Sequence, residues 1–132
     1  MRVGWLMRIS MALSGALLLA AWPAATQRPG PLAQVEHGLW EVRGSNGAAI
    51  GSICVGDPLL LAQPLHPPQS CSAEVQSADG HVATVAFVCP GMGRGRTQLR
   101  VETPRLVQID MQGISNGIPF ALRAQARRTG PC

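Results

Sequence analysis

The chain contains no tyrosine, and its aromatic content is three tryptophans and two phenylalanines. Trp5 and Trp22 fall in the apolar start, which leaves Trp40, Phe87 and Phe120 for everything that follows. Recognition of single-stranded nucleic acid or sugar by stacking needs exposed rings along a groove. Three rings are more simply explained as the core of one domain, so no nucleic-acid partner is expected. Lysine is absent too, and every basic side chain is arginine. The formal net charge of +4 includes Arg2 and Arg8. Without that start, nine arginines face seven acids. This weak basic excess does not point to nucleic acid.

Other absences narrow the chemistry. No Cys-x-x-Cys and no paired histidine spacing occurs, so the zinc patterns are missing and no metal or other cofactor is expected. His37, His66 and His81 are scattered and read as turn or surface residues. No pair of carboxylates is placed for acid-base work, and no catalytic residue is assigned. The expectation is a protein that is not an enzyme.

What is present begins with a targeting segment. Arg2 and Arg8 precede an uncharged apolar run from Ile9 to Trp22, followed by the small-residue stretch Pro23-Ala24-Ala25-Thr26. Residues 1–25 therefore read as a signal peptide of a periplasmic or secreted protein. The run is short for a bilayer, and no membrane span is expected after cleavage. Residues 26–36 read as a flexible polar leader and 37–132 as a single β domain, of a size for one modest core.

The clearest geometry lies between Thr97 and Arg128. Leu99 and Val101 alternate with polar residues, as do Val107, Ile109 and Met111, and then Phe120, Leu122, Ala124 and Ala126. A period of two over three runs means strands of a sheet with one buried face. Asn116-Gly117 supplies a tight hairpin turn, which sets Met111 opposite Leu122, Ile109 opposite Ala124, and Asp110 opposite Arg123. Upstream, Gly38 to Val42 reads as a strand turning at Asn46-Gly47 into Ala49 to Val55. Asp57-Pro58 reads as the capped start of a helix of about two turns, stopped by Pro64, Pro67 and Pro68. The fold class is all-β and mainly antiparallel: about seven strands in a curled sheet or partly open barrel, with one short helix.

Cys71 and Cys89 lie at equal distances on either side of Gly80, in a hairpin turning at Asp79-Gly80. That register opposes Ala73 to Phe87 and Val75 to Val85, and brings the two cysteines within disulfide reach. Cys54 then joins Cys132. A turn shifted by one residue gives the alternative, Cys54 with Cys71 and Cys89 with Cys132.

Two stretches imitate functional motifs. Gly113-Ile114-Ser115-Asn116-Gly117 matches G-x-S-x-G, but a nucleophile elbow leads from a strand into a helix, and here a strand follows. The hairpin reading is preferred, and a small serine hydrolase using Ser115 is the remote alternative. Gly91-Met92-Gly93-Arg94-Gly95-Arg96 reads as a bulged or flexible connection, with Gly91, Gly93, Arg94 and Arg96 as a candidate anion or partner contact.

Gly38-Leu39-Trp40-Glu41, the four cysteines, the Asp57-Pro58-x-Leu-Leu segment and the ending Ala126-Arg127-Arg128-Thr129-Gly130-Pro131-Cys132 together resemble a bacterial family of small exported proteins known as domain of unknown function three-six-one-seven. The resemblance covers nearly the whole chain after the apolar start. It implies a Gram-negative envelope location and an antiparallel β fold, and transfers no site residues. The functional expectation is a monomeric binding or interaction module whose partner is an envelope protein or lipid. Its alternatives are an inhibitor of a cell-wall hydrolase and a carrier of an apolar ligand.

Overall fold

The computed structural model describes residues 30–65 and 71–132. The targeting segment, the first part of the leader, His66, Pro67 and Pro68 lie outside the described residues. Seven antiparallel strands form one sheet: β1 (Gly38–Gly44), β2 (Ala49–Val55), β3 (Ser72–Asp79), β4 (Val82–Cys89), β5 (Gly93–Thr103), β6 (Leu106–Ser115) and β7 (Ile118–Gly130). Their spatial order is β2-β1-β7-β6-β5-β4-β3. β3 to β7 is a meander of consecutive hairpins, and the β1–β2 hairpin joins it by laying β1 antiparallel beside β7, Val42 opposite Ala126. β2 and β3 remain edges, so the sheet is open.

The alternating pattern determines which face is dry. Trp40, Val42, Val85, Phe87, Leu99, Val101, Val107, Ile109, Met111, Ala124 and Ala126 are all buried in one cluster. The expected β6–β7 register holds at every named pair: Met111 with Leu122, Ile109 with Ala124, Asp110 with Arg123. Asn116 (φ 51°) and Gly117 (φ 79°) take the left-handed conformations that a two-residue turn requires.

β2 and β3 are the outermost strands, and the described part of the segment that leaves β2, residues 56–65, packs on the dry face. It contains η2 (Pro58–Ala62), a 3₁₀ turn capped by Asp57, whose carboxylate accepts the Leu59 N–H at 3.0 Å. Leu61 and Ala62 are fully buried, and the Thr97 hydroxyl of β5 donates to the Ala62 carbonyl. A central strand thus pins this segment. The expected two-turn helix is only this 3₁₀ turn.

The leader is also part of the fold. η1 (Pro31–Gln34) is a second 3₁₀ turn, and Pro31 and Val35 are buried. The Glu36 N–H donates to the Pro104 carbonyl at 2.9 Å, and the Trp40 indole N–H donates to the Glu36 carbonyl at 3.0 Å. From Pro31 onward the reading as a flexible leader is corrected: Leu32 and Val35 cover apolar surface that an open sheet leaves bare.

Both disulfides follow the preferred pairing. Cys71–Cys89 closes the β3–β4 hairpin at a Cα separation of 4.1 Å, and Cys54–Cys132 ties edge strand β2 to the chain terminus at 5.6 Å. The β3–β4 register is as expected from Ala73 to Val75 and then slips by one, so that Ser77 faces Thr84. The turn residues are therefore Gly80 and His81 rather than Asp79 and Gly80.

Candidate binding face

The face of the sheet opposite the core is polar across its centre. Two neighbouring cross-strand rows define it. One runs Thr84, Gln98, Asp110, Arg123 across β4 to β7. The other runs Val82, Arg100, Gln108, Gln125, Arg43 across β4, β5, β6, β7 and β1. Neighbouring strands are about 4.8 Å apart, so these rows form a lattice of guanidinium and carboxamide groups at regular intervals. Over it lies a groove of about 640 Å³, lined by Arg43, Arg100, Arg123, Gln98, Gln108 and Gln125.

The arginines of this lattice are already held. Arg123 Nε pairs with Asp110 across the strands at 3.2 Å, and Arg100 with Glu102 at 3.1 Å. Arg43 pairs with Glu41, and one of its nitrogens donates to the Gly47 carbonyl at 3.2 Å. Gln108 Nε2 reaches the Glu102 carboxylate at 3.5 Å. These pairs are exposed, and each adds at most about 1 kcal/mol to stability. Their effect is to hold long side chains in place, so that the groove offers directed donors and acceptors with little net charge.

The candidate anion contact is rearranged. Only Pro90 to Met92 form a turn, while Gly93, Arg94 and Arg96 lie in β5, which corrects the reading of this stretch as a loop. Gly91 (φ 75°) serves that turn. Arg94 and Arg96 point to the polar face, and Gly93 and Gly95 to the other. Gly95 faces Phe87 on one side and Gly113 on the other, and Gly113 faces Phe120. A Cβ on Gly95 would come within 2.6 Å of the Phe87 ring, and one on Gly113 within 2.7 Å of the Gly95 Cα. Gly95 and Gly113, one from each motif-like stretch, therefore allow β5 and β6 to approach closely beneath a phenyl ring, a packing role rather than an anion cradle.

Ser115 ends β6, opposite Gly93 and Ile118. His81 and His37 belong to the other end of the sheet, where their carbonyls accept from Val101 N–H and Arg128 Nε. From Val107, beside Val101, to Ser115 is roughly 25 Å at about 3.3 Å per residue. Neither imidazole can serve that hydroxyl as a base. Among the described residues no group of His, Cys, Asp and Glu is placed to hold a metal ion, and all four cysteines are in disulfides. No described helix is long and apolar enough to cross a membrane.

Comparison with known proteins finds no matching family model, no matching curated protein and no matching solved structure.

The lattice residues were visible in the sequence as the polar half of each alternating strand. The strand at Gly38 to Val42 was expected, but not its place in the sheet: only the pairing of β1 with β7 brings Arg43 to Gln125.

Proposed function

We propose that this protein is an exported, non-catalytic binding module of the cell envelope, a member of the family it resembles, and that it binds through the polar face of β1 and β4 to β7. The observation that carries this is the 640 Å³ groove, which Arg43, Arg100 and Arg123 line together with Gln98, Gln108, Gln125 and Asp110. Carboxamides and guanidinium groups at strand spacing suit an extended ligand rich in amides, hydroxyls and carboxylates. Peptide-bearing fragments of a cell-wall glycan have that chemistry, and no aromatic platform is needed to hold them. Export is supported by the apolar start and by two disulfides, which persist in oxidising compartments. A carrier of an apolar ligand gains no support, because the dry face is filled by its own core and by η1 and η2. An inhibitor that inserts a basic loop gains none either, since Arg94 and Arg96 lie in a strand.

Calorimetric titration of the disulfide-bonded protein with soluble cell-wall peptide-glycan fragments tests the proposal. Saturable binding that Gln108→Ala/Gln125→Ala weakens at least tenfold, with an unchanged melting temperature, supports it. Binding unaffected by those changes, or no heat at millimolar ligand, rejects it.

A further inference from the structure

The polar face carries a second trough, of about 560 Å³, nearer the Asn116–Gly117 turn. It lies between two neighbouring cross-strand rows, one carrying Arg96 and Gln112, the other Val88, Arg94 and Ile114. The row between them, Gly95 and Gly113 with a phenylalanine on either side, points to the core, so its backbone floors the trough. On β6, Gly113 follows by four residues Ile109, which floors the groove. The two depressions are therefore about 13 Å apart along the strands.

They differ in charge. In the groove each arginine has its acid: Arg43 with Glu41, Arg100 with Glu102, Arg123 with Asp110. In the second trough Arg94 faces Val88 and Ile114, and Arg96 faces Ala86 and Gln112. Both are exposed, and neither makes an ion pair or a side-chain hydrogen bond among the described residues. Arg127 is also outside those ion pairs, but Glu41 stands directly opposite it. Asp110, diagonal to Arg96, is taken by Arg123, and Glu74 lies on edge strand β3 with Ala86 between it and Arg96.

Arg94 and Arg96 are two residues apart on one face, about 7 Å, so the strand sets two like charges side by side without a countercharge. An anion between them removes that repulsion and is held by forked, charge-assisted hydrogen bonds. The flanks are apolar, with Val88 49% and Ile114 40% exposed. A bare inorganic ion leaves those side chains in water, whereas a carboxylate carried on an alkyl carbon covers them.

We propose that this trough receives the terminal carboxylate of the ligand whose body lies in the groove. The ligand then lies along the strands in one direction, its acid end toward the Asn116–Gly117 turn. A separation of 13 Å is about four residues of extended peptide, so a peptide of that length reaches both depressions. The inference rests on the reading of the groove as the binding site, and deepens it by assigning a subsite and a polarity.

Calorimetric titration of the disulfide-bonded protein tests it with a matched pair of cell-wall peptide-glycan fragments, one ending in a free carboxylate and the other in the primary amide. The parent binds the free acid about tenfold more tightly, the scale of one hydrogen-bonded charge contact. Arg94→Gln/Arg96→Gln lowers the affinity for the acid to that for the amide and leaves the amide unchanged. Arg94→Lys/Arg96→Lys keeps part of the preference, since lysine holds the charge without the fork. Both variants melt within a few degrees of the parent. Equal affinity of the parent for acid and amide, or a preference that survives in the glutamine variant, overturns the inference while the groove reading stands. Failure of both fragments to bind overturns the two together. Inorganic phosphate alone binding more tightly than the free-acid fragment overturns the inference too, by assigning the trough to a bare anion.

Discussion

Replacing Gly113 with alanine asks most of the close approach between β5 and β6. An added methyl meets the Arg94 carbonyl oxygen and lies 2.7 Å from the Gly95 Cα, both of them backbone atoms that no rotamer change can move. Overpacking of this kind costs about 1–3 kcal/mol. The loss of glycine's conformational freedom in a strand offsets roughly 0.5–1 kcal/mol of it. The net expectation is destabilisation by about 1–2 kcal/mol, a fall in melting temperature of roughly 5–15 °C for a domain of this size. Gly56→Ala is the control: nothing lies within 4 Å of the added methyl, so its effect is neutral or slightly stabilising. Ser115→Ala changes stability by less than about 0.5 kcal/mol. Thermal melts of the three variants side by side give the answer. If Gly113→Ala melts at or above the parent, the glycines are not there for packing, and the motif around Ser115 regains a claim to chemistry.

Further expectations concern the covalent and buried contacts. Removing Cys54–Cys132, whose ends are 78 positions apart in sequence, costs about 4.5 kcal/mol by loop entropy, against about 3 kcal/mol for Cys71–Cys89, 18 positions apart. Denaturant titration of the two double-serine variants checks that order, and a reversed order counts against it. Thr97→Val leaves the buried Ala62 carbonyl without its hydroxyl donor and costs about 1–3 kcal/mol; a variant as stable as the parent shows that the segment after β2 is not pinned there. A double-mutant cycle on Asp110 and Arg123, whose side chains are well exposed, gives a coupling below about 1 kcal/mol, and a larger value means that the pair is shielded by something bound over it.

The C-terminal meander was legible because three signals agreed there: a period of two, an Asn-Gly turn and a charge pair across the wet face. The β3–β4 disulfide was legible as a pairing but not through its turn: the hairpin turns one residue later than expected, and the irregularity between Val75 and Ser77 restores the register that brings Cys71 to Cys89. Gly93 to Arg96 was misread as a loop because glycine occupies the inward positions where an apolar residue is looked for. Counting glycine as inward, Gly-Arg-Gly-Arg-Thr-Gln-Leu-Arg-Val alternates without a break. η1 was missed because Pro31, Leu32 and Val35 carry no periodicity, and their burial depends on a sheet they do not encode. The β1–β7 pairing lay beyond local reading, for two strands nearly eighty residues apart share no turn. With it went the β1 side of the candidate groove, since Arg43 reaches Gln125 only through that contact.

The central claim is that the polar sheet face, not the edges or the filled side, meets the ligand. Residue-resolved chemical-shift mapping during titration with soluble cell-wall peptide-glycan fragments tests this most directly. The account predicts shifts at Gln98, Gln108, Arg123 and Gln125, with Val85, Leu99 and Met111 unmoved. Shifts confined to β2 and β3, or none at saturating fragment, contradict it.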